Sequence, residues 1–185
     1  FSEQEMAKLD VTKHSDPIVS VYLGLNFPRE KLAEILKSCH IFYFPDYGCK
    51  TELDLNDAEA HKKAFIEVTS HCINDGSLVP EGKSAVVLQA FTRFEWMDHW
   101  KLKEAVDERS LEYRNLKKQV GDQIISIFEG LFPNVRDYIE YVDVGTPISA
   151  HRFTRNFLGG TCGFELNYRN YPFINPLAHT KSPLD

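Results

Sequence analysis

Apolar residues recur along this chain in two rhythms, every second position in some stretches and every third or fourth in others, and these divide it into strands and helices. From Ile18 to Leu25, Val19, Val21, Leu23 and Leu25 fall on one side and Ser20, Tyr22 and Gly24 on the other, which predicts a strand. Gly24 inside it marks a place where something approaches the backbone closely. Asp16-Pro17 separates this strand from a polar, weakly helical lead-in over Phe1 to Lys13. Pro28 to Ser38 reads as a short amphipathic helix with Leu32, Ile35 and Leu36 inward. Ile41 to Phe44 reads as a second strand closed by Pro45, and Asn56-Asp57-Ala58-Glu59 has the pattern of a capping box, predicting a helical turn through Lys63. Ala64 to Cys72 favours a third strand, turned by Asn74-Asp75-Gly76. Ser84 to Phe91 is nearly all apolar, the mark of a strand covered on both faces. Strands joined by so short a polar link are most simply neighbours in one sheet.

The second half follows the helical rhythm first. Between Asp107 and Leu131, Tyr113, Leu116, Val120, Ile124, Ile127, Phe128 and Leu131 recur at three- and four-residue steps, which predicts the longest helix, ended by Pro133. Tyr138 to Val144 alternates like a half-buried strand, Gly145-Thr146-Pro147 is a turn carrying a helix start, and Gly159-Gly160 is a stop. Thr146 can cap the free amides, and Pro147 suits the first helical position, where its missing N–H would be unpaired anyway. From Asn167 onward there is no periodicity. This order predicts a single α+β domain over residues 1–185, with a mixed, mainly antiparallel sheet covered by helices.

Composition narrows the function. With 185 residues, 43% of them hydrophobic and thirteen of them Phe, the chain can bury a real core. Its 21 basic and 27 acidic side chains leave a net charge of −6, which repels phosphate backbones and argues against nucleic acid. No apolar run is long enough to span a bilayer, and the first ten residues have neither the basic start nor the apolar centre of a signal peptide. Cys39, Cys49, Cys72 and Cys162 are widely spaced without a C-x-x-C, which fits reduced thiols in an intracellular protein. Cys39-His40 with His71-Cys72 is the only pairing that could supply four metal ligands, but neighbours on a strand point to opposite faces, so no metal site is expected. No G-x-S-x-G signals a nucleophilic hydrolase.

Two stretches carry candidate chemistry. The turn into the helix at Thr146 presents unpaired N–H groups, a geometry that serves either as a plain connection or as a seat for phosphates, carboxylates or electron-rich rings. Phe94, Trp96 and Trp100 form either a packing knot beneath the sheet or one wall of an apolar ligand tunnel.

The segment GTPISAHRFTRNFLGGTCG resembles the G-T-P-x-[ST]-x-x-[RQ]-[FY] … G-[AT]-x-[YG]-G segment of the flavoprotein family of phytoene desaturases, carotenoid isomerases and retinol saturases. Glu108-Arg109-Ser110-Leu111-Glu112-Tyr113 through Leu131-Phe132-Pro133 is similar to that family's R…Y-x-x-x-K…LFP helix. Val21-Tyr22-Leu23-Gly24-Leu25 is similar to its VYLGL strand, and Phe94-Glu95-Trp96-Met97-Asp98-His99-Trp100 to its [FY]-E-W-x-x-W. The blocks fall in the family's order and span nearly the whole chain. His151-Arg152-Phe153 is closer to the isomerase branch's HRRF, whereas the segment between Phe44 and Phe91 resembles the saturase branch, so the substrate stays open.

The resemblance implies FAD as cofactor and hydride transfer between flavin and a carbon of a polyene or isoprenoid, an apolar small molecule. It implies Gly145, Thr146, Gly160, Thr161, Cys162 and Gly163 as flavin-side lining, since glycines let backbone come close to a planar ring. His151 and Arg152 are then the nearest polar candidates for catalysis, the alternative being ordinary solvated helix positions. Tyr22, with Phe94, Trp96 and Trp100, would face substrate. Neither the family's G-x-G-x-x-G nor its LY-x-x-G flavin segment occurs here, which sets the expectation of a substrate-binding part whose partner is its own FAD-binding domain. By itself such a part is expected to carry no flavin and no activity. A free-standing isoprenoid-binding module is the other reading, and peripheral membrane contact stays open, although no amphipathic basic helix argues for it.

Overall fold

A computed structural model describes residues 3, 14–47, 53–103 and 109–165. The lead-in before His14, apart from Glu3, Cys49 and the tail from Asn167 lie outside the described residues.

Five strands form one antiparallel sheet: β1 (Ile18–Leu25), β2 (His40–Tyr43), β3 (Ile66–Thr69), β4 (Ser84–Phe91) and β5 (Ile139–Gly145), in the order β2-β3-β4-β1-β5. The fold is α+β, and every pairing among the described strands is antiparallel. β1 is an interior strand beside the β5 edge, pairing Val21 with Leu88 of β4 and with Val144 of β5. Its alternation does what the pattern demands: Val19, Val21, Leu23 and Leu25 are all at most 2% exposed. Gly24 lies beside Tyr141 of β5, whose Cβ is 3.2 Å from where a methyl on the glycine would sit.

Three helices follow the sequence boundaries closely. α1 (Arg29–Leu36) begins after Pro28 and ends at Lys37 in the left-handed conformation, burying Leu32 and Leu36. α2 (Leu111–Phe128) begins where the Ser110 hydroxyl accepts from the Tyr113 amide at 3.1 Å. It packs Leu116, Val120, Ile124 and Phe128 onto the apolar face of the sheet. α2 is shorter than its periodicity suggested, because Leu131 and Phe132 leave the helix and fold back in turns that still bury Phe132. α3 (Pro147–Thr154) has Thr146 as cap and Pro147 at its first position.

Three expectations are corrected. β4 is covered on one face only: Ser84, Val86, Leu88 and Ala90 are buried while their alternates are half-buried and Phe91 is exposed. Its apolar run reflects half-buried aliphatic residues on a sheet face without a helix on it. β5 begins at Ile139, Tyr138 closing a preceding 3-10 turn, and as an edge strand it buries only Val144. At Asn56 to Glu59 no capping box forms. Asp54 and Asp57 accept from the amides of Asn56 and Glu59 at 2.9 and 2.8 Å, and these local turns lead into a 3-10 turn at Ala60–Lys63.

α2 packs on one side of the sheet, and much of the other side is open. Tyr22, Phe42, Phe91 and Tyr141 are 45%, 60%, 47% and 61% exposed there. Register aligns Phe42, Glu67, Gln89, Ser20 and Gly145 in one row across all five strands of this face. Beside that row Phe44 stacks on Phe65 at 4.9 Å, and Phe65 meets Phe91 edge-on at 5.7 Å. Contiguous exposed aromatics of this kind mark a surface meant to be covered.

Candidate functional site

The open face ends in a groove of about 730 Å³. One wall is sheet, with Ile18, Ser20, Tyr22 and Gln89. The groove then turns round the end of β5 at Gly145 and Thr146, between α2 and α3, and is closed by Gly160 and Thr161.

Local chemistry explains why the chain bends here. Thr146 is 1% exposed, and its Oγ1 accepts from the Ser149 amide at 3.3 Å while the Ser149 hydroxyl accepts from the Thr146 amide at 3.3 Å, a reciprocal capping box. The Tyr113 hydroxyl joins this pair, 2.7 Å from Thr146 Oγ1 and 3.4 Å from Ser149 Oγ, which ties α2 to the start of α3. α3 ends at Arg155 in the left-handed conformation, and His151 Nδ1–H donates to the Asn156 carbonyl at 3.0 Å. Gly159 follows with φ +64°, pressed against the backbone of Pro147 so closely that a methyl group would meet its carbonyl carbon and Cα at 2.9 Å. The loop beyond is pinned to the entry into β1: the Ser15 amide donates to the Gly163 carbonyl at 2.9 Å, the Cys162 amide to Ser15 Oγ at 2.9 Å and Thr161 Oγ1 to the Asp16 carbonyl at 3.1 Å.

The residues singled out from sequence separate into two groups. Gly145, Thr146, Gly160, Thr161 and Tyr22 come together on the groove. Cys162 and Gly163 belong to the same loop but are exposed beside it. His151 and Arg152 sit on α3 off the groove lining; His151 is half-buried with its ring 5.6 Å from that of Phe94, and Arg152 is exposed. Phe94, Trp96 and Trp100 are 5%, 0% and 0% exposed and belong to the core. Around them the backbone from Trp96 to Trp100 makes a left-handed turn, with φ of 51°, 54° and 55° at Met97, Asp98 and His99. Such a turn is held by tertiary contact rather than by local preference. The Trp96 indole donates to the Asp57 carbonyl and the Trp100 indole to the Arg93 carbonyl, each at 3.1 Å, and the two rings meet at 4.8 Å.

Next to this knot is His61, fully buried. Nε2 lies 3.0 Å from Thr92 Oγ1, Nδ1 has no partner, and the ring meets Trp96 edge-on at 4.7 Å. Burial lowers its pKa to about 4, so it is neutral at physiological pH. Among the described residues no cluster of His, Cys, Asp and Glu could hold a metal ion, and no helix is long and apolar enough to cross a membrane.

Residues missed from sequence include Arg109, Arg114, Lys117, Asp143, Gln89 and Ser149, all on the groove. Arg109, Tyr113 and Lys117 recur every fourth position, a stripe that periodicity could have found. Its meeting with β5 could not be read locally.

Fold and groove together define an α+β domain whose antiparallel sheet is packed by α2 on one face, with a mostly apolar concavity of mixed chemistry at the end of the other face. No family model matches the chain. It is homologous to part of the protein named all-trans-retinol 13,14-reductase in Danio rerio, with 31% identity over 154 residues, covering 79% of this chain and 25% of the relative. The protein of the same name in Rattus norvegicus is 27% identical over 103 residues, covering 55% of this chain and 17% of that relative. The chain thus spans about a quarter or less of the length of the curated relatives it matches.

Proposed function

We propose that this chain is the substrate-binding part of an FAD-dependent oxidoreductase that moves a hydride between flavin and a double bond of a retinoid or a closely related isoprenoid. The single observation that carries the reading is Gly145. It lies on the groove with a backbone conformation open to any L residue, and a methyl group there would make only ordinary contacts, the nearest being Tyr22 Cε2 at 3.6 Å. The fold therefore has no need of glycine at this position, and the space the missing side chain leaves belongs to whatever enters the groove.

The residues present fit a flavin dinucleotide. Gly145 and Gly160 offer close backbone approach, Tyr22 and Ile18 an apolar side, and exposed Thr161 a hydroxyl for the polar edge of a ring or a ribose. When bound, FAD supplies the hydride chemistry itself. This chain's residues bind, orient and exclude water. The capping box fixes the lip of the groove, and the Tyr113 hydroxyl holds that lip against α2. The row of exposed Phe44, half-buried Phe65 and exposed Phe91 gives an apolar track on the open face on which an isoprenoid chain can lie. The name of the relatives supports a retinoid over a longer carotenoid.

Gly145→Val in the full-length protein tests the reading. Stability is expected to change by less than about 1 kcal/mol, since the added Cβ meets no atom closer than 3.6 Å and valine suits a strand. Flavin content or retinol reduction is expected to drop at least about tenfold, because the branched side chain fills the approach to the ring. Full flavin content with unchanged turnover would overturn the proposal.

A further inference from the structure

Two rows of side chains run side by side across the open face of the sheet. The first is apolar: Ile18 pairs with Phe91 in register, Phe91 meets Phe65 edge-on at 5.7 Å, and Phe65 stacks on Phe44 at 4.9 Å. Ile18 also lines the groove, so this row reaches the groove without a break. The second is the row of Glu67, Gln89, Ser20 and Gly145, each beside the next on neighbouring strands. Strands about 4.8 Å apart put Gln89 two strands, roughly 10 Å, from Gly145. A flat ring approaching Gly145 therefore leaves the ground at Gln89 to a second molecule.

Gln89 is half-buried and lines the mostly apolar groove. Other polar groups there are engaged within the protein, Thr146, Ser149 and Tyr113 with one another and Lys117 with Asp143. The Gln89 amide is engaged on one side only. Its Nε2 donates to Ser20 Oγ at 3.1 Å, which sets the way the amide points, and its Oε1 has no hydrogen-bond partner among the described residues. Across the strand from Gln89, the Glu67 carboxylate lies 3.2 Å from His40 Nε2 and adds negative charge to the row. A free carbonyl oxygen next to a carboxylate receives a neutral group that donates a hydrogen and repels an anionic one.

The double bond in the name of the relatives, 13,14 of all-trans-retinol, is next to the carbon that carries the hydroxyl. A retinoid that brings this bond to the groove brings its hydroxyl with it, and a hydroxyl leaving water needs a partner. Resting on the function proposed above, we infer that Gln89 is a specificity-determining residue whose Oε1 accepts the hydrogen of the substrate's terminal alcohol. The polyene then runs from Ile18 over Phe91 and Phe65 to Phe44, and Glu67 keeps a carboxylate terminus away.

Binding of all-trans-retinol and of its methyl ether is followed by polyene fluorescence in the full-length protein and in Gln89→Met. The ether keeps the polyene and the oxygen but has no hydrogen to donate, and methionine keeps the length of Gln89 but has no amide; thermal melting checks that each variant is folded. The parent is expected to bind retinol at least about fivefold more tightly than the ether, and Gln89→Met to lose that preference by weakening retinol alone. Equal weakening of both ligands would make Gln89 a packing residue and overturn the inference, as would a parent without the preference or a variant that keeps it. In Glu67→Gln, binding of retinoate should tighten at least about threefold with retinol unchanged. No change in retinoate binding would overturn the part assigned to Glu67. Flavin content and turnover are read separately. A protein that discriminates as expected but carries no flavin or reduces neither ligand would sink the oxidoreductase reading and leave recognition of the hydroxyl by Gln89 standing.

Discussion

The contact between Tyr113 and Thr146 is where the long helix, the edge strand and the lip of the groove meet, and its worth can be measured. In Thr146→Val the side chain keeps its branched shape but loses its oxygen. The Ser149 amide, held at 3.3 Å, then lacks its cap, a loss of about 1 kcal/mol. The Tyr113 hydroxyl, previously 2.7 Å from Thr146 Oγ1, is left with only the weaker contact to Ser149 Oγ at 3.4 Å. Tyr113 is 5% exposed, so this near-orphan adds about 1 kcal/mol or more, giving a total of roughly 2–3 kcal/mol. Tyr113→Phe alone should lose about 1 kcal/mol, because Thr146 Oγ1 still accepts from Ser149. In the double variant the stranded hydroxyl is gone, so the combined loss should fall short of the sum by about 1 kcal/mol. Urea unfolding of the 185-residue chain and its three variants, compared at equal slope, measures this directly. Additivity within about 0.3–0.5 kcal/mol would refute the claim that this hydroxyl pair couples α2 to the groove.

Other expectations follow from single sites. His61 is neutral when folded, with a pKa lowered to about 4 against 6.5 in the unfolded chain, so its contribution to stability is complete above pH 6.5 and lost as pH falls from there toward 4. The loss amounts to about 3 kcal/mol, from 1.36 kcal/mol per unit; urea midpoints across that range should show it, and a His61→Phe variant with the same acid slope would assign the effect elsewhere. Gly159→Ala should destabilise by more than about 2 kcal/mol, since it combines a left-handed φ with collision against the Pro147 backbone. Gly82→Ala, with φ +75° and nothing within 4 Å, should cost only about 1 kcal/mol. Equal losses in thermal melts would contradict the packing argument at Gly159. Trp96→Phe should loosen the knot at Asp57 and His61, lowering stability by about 1–3 kcal/mol, as its indole donor and part of its buried ring surface are lost. A melting temperature equal to that of the parent would show the left-handed turn to be independent of that bond.

The parts legible in the sequence were those fixed by neighbours a few positions apart. The alternation in β1 and the Thr146-Pro147 helix start are properties of consecutive residues, and the structure has them where the pattern put them, whereas the helix stops at a left-handed Arg155, before Gly159-Gly160, which close a separate 3-10 turn. At β4 and β5 the pattern misled, because an apolar run on a sheet says that its residues prefer burial, and only the position of the helices decides which face receives it. The candidate site divided in the same way. Gly145, Thr146, Gly160 and Thr161 are close in the chain and reached the groove together, whereas Phe94, Trp96 and Trp100, equally conspicuous as letters, were drawn into the core.

By itself, then, the order of residues determined the element types, the capped turn and the overall α+β class, since each depends on backbone preference and side-chain period over a few residues. Tertiary structure alone decided that one sheet face stays open, that the Tyr113 hydroxyl reaches Thr146, and that Arg109, Arg114 and Lys117 surround the same groove as Gly145. Those outcomes join residues far apart in the chain, Tyr113 and Thr146 being 33 positions from each other. They are set by how α2 lies across the sheet, which no local rhythm encodes.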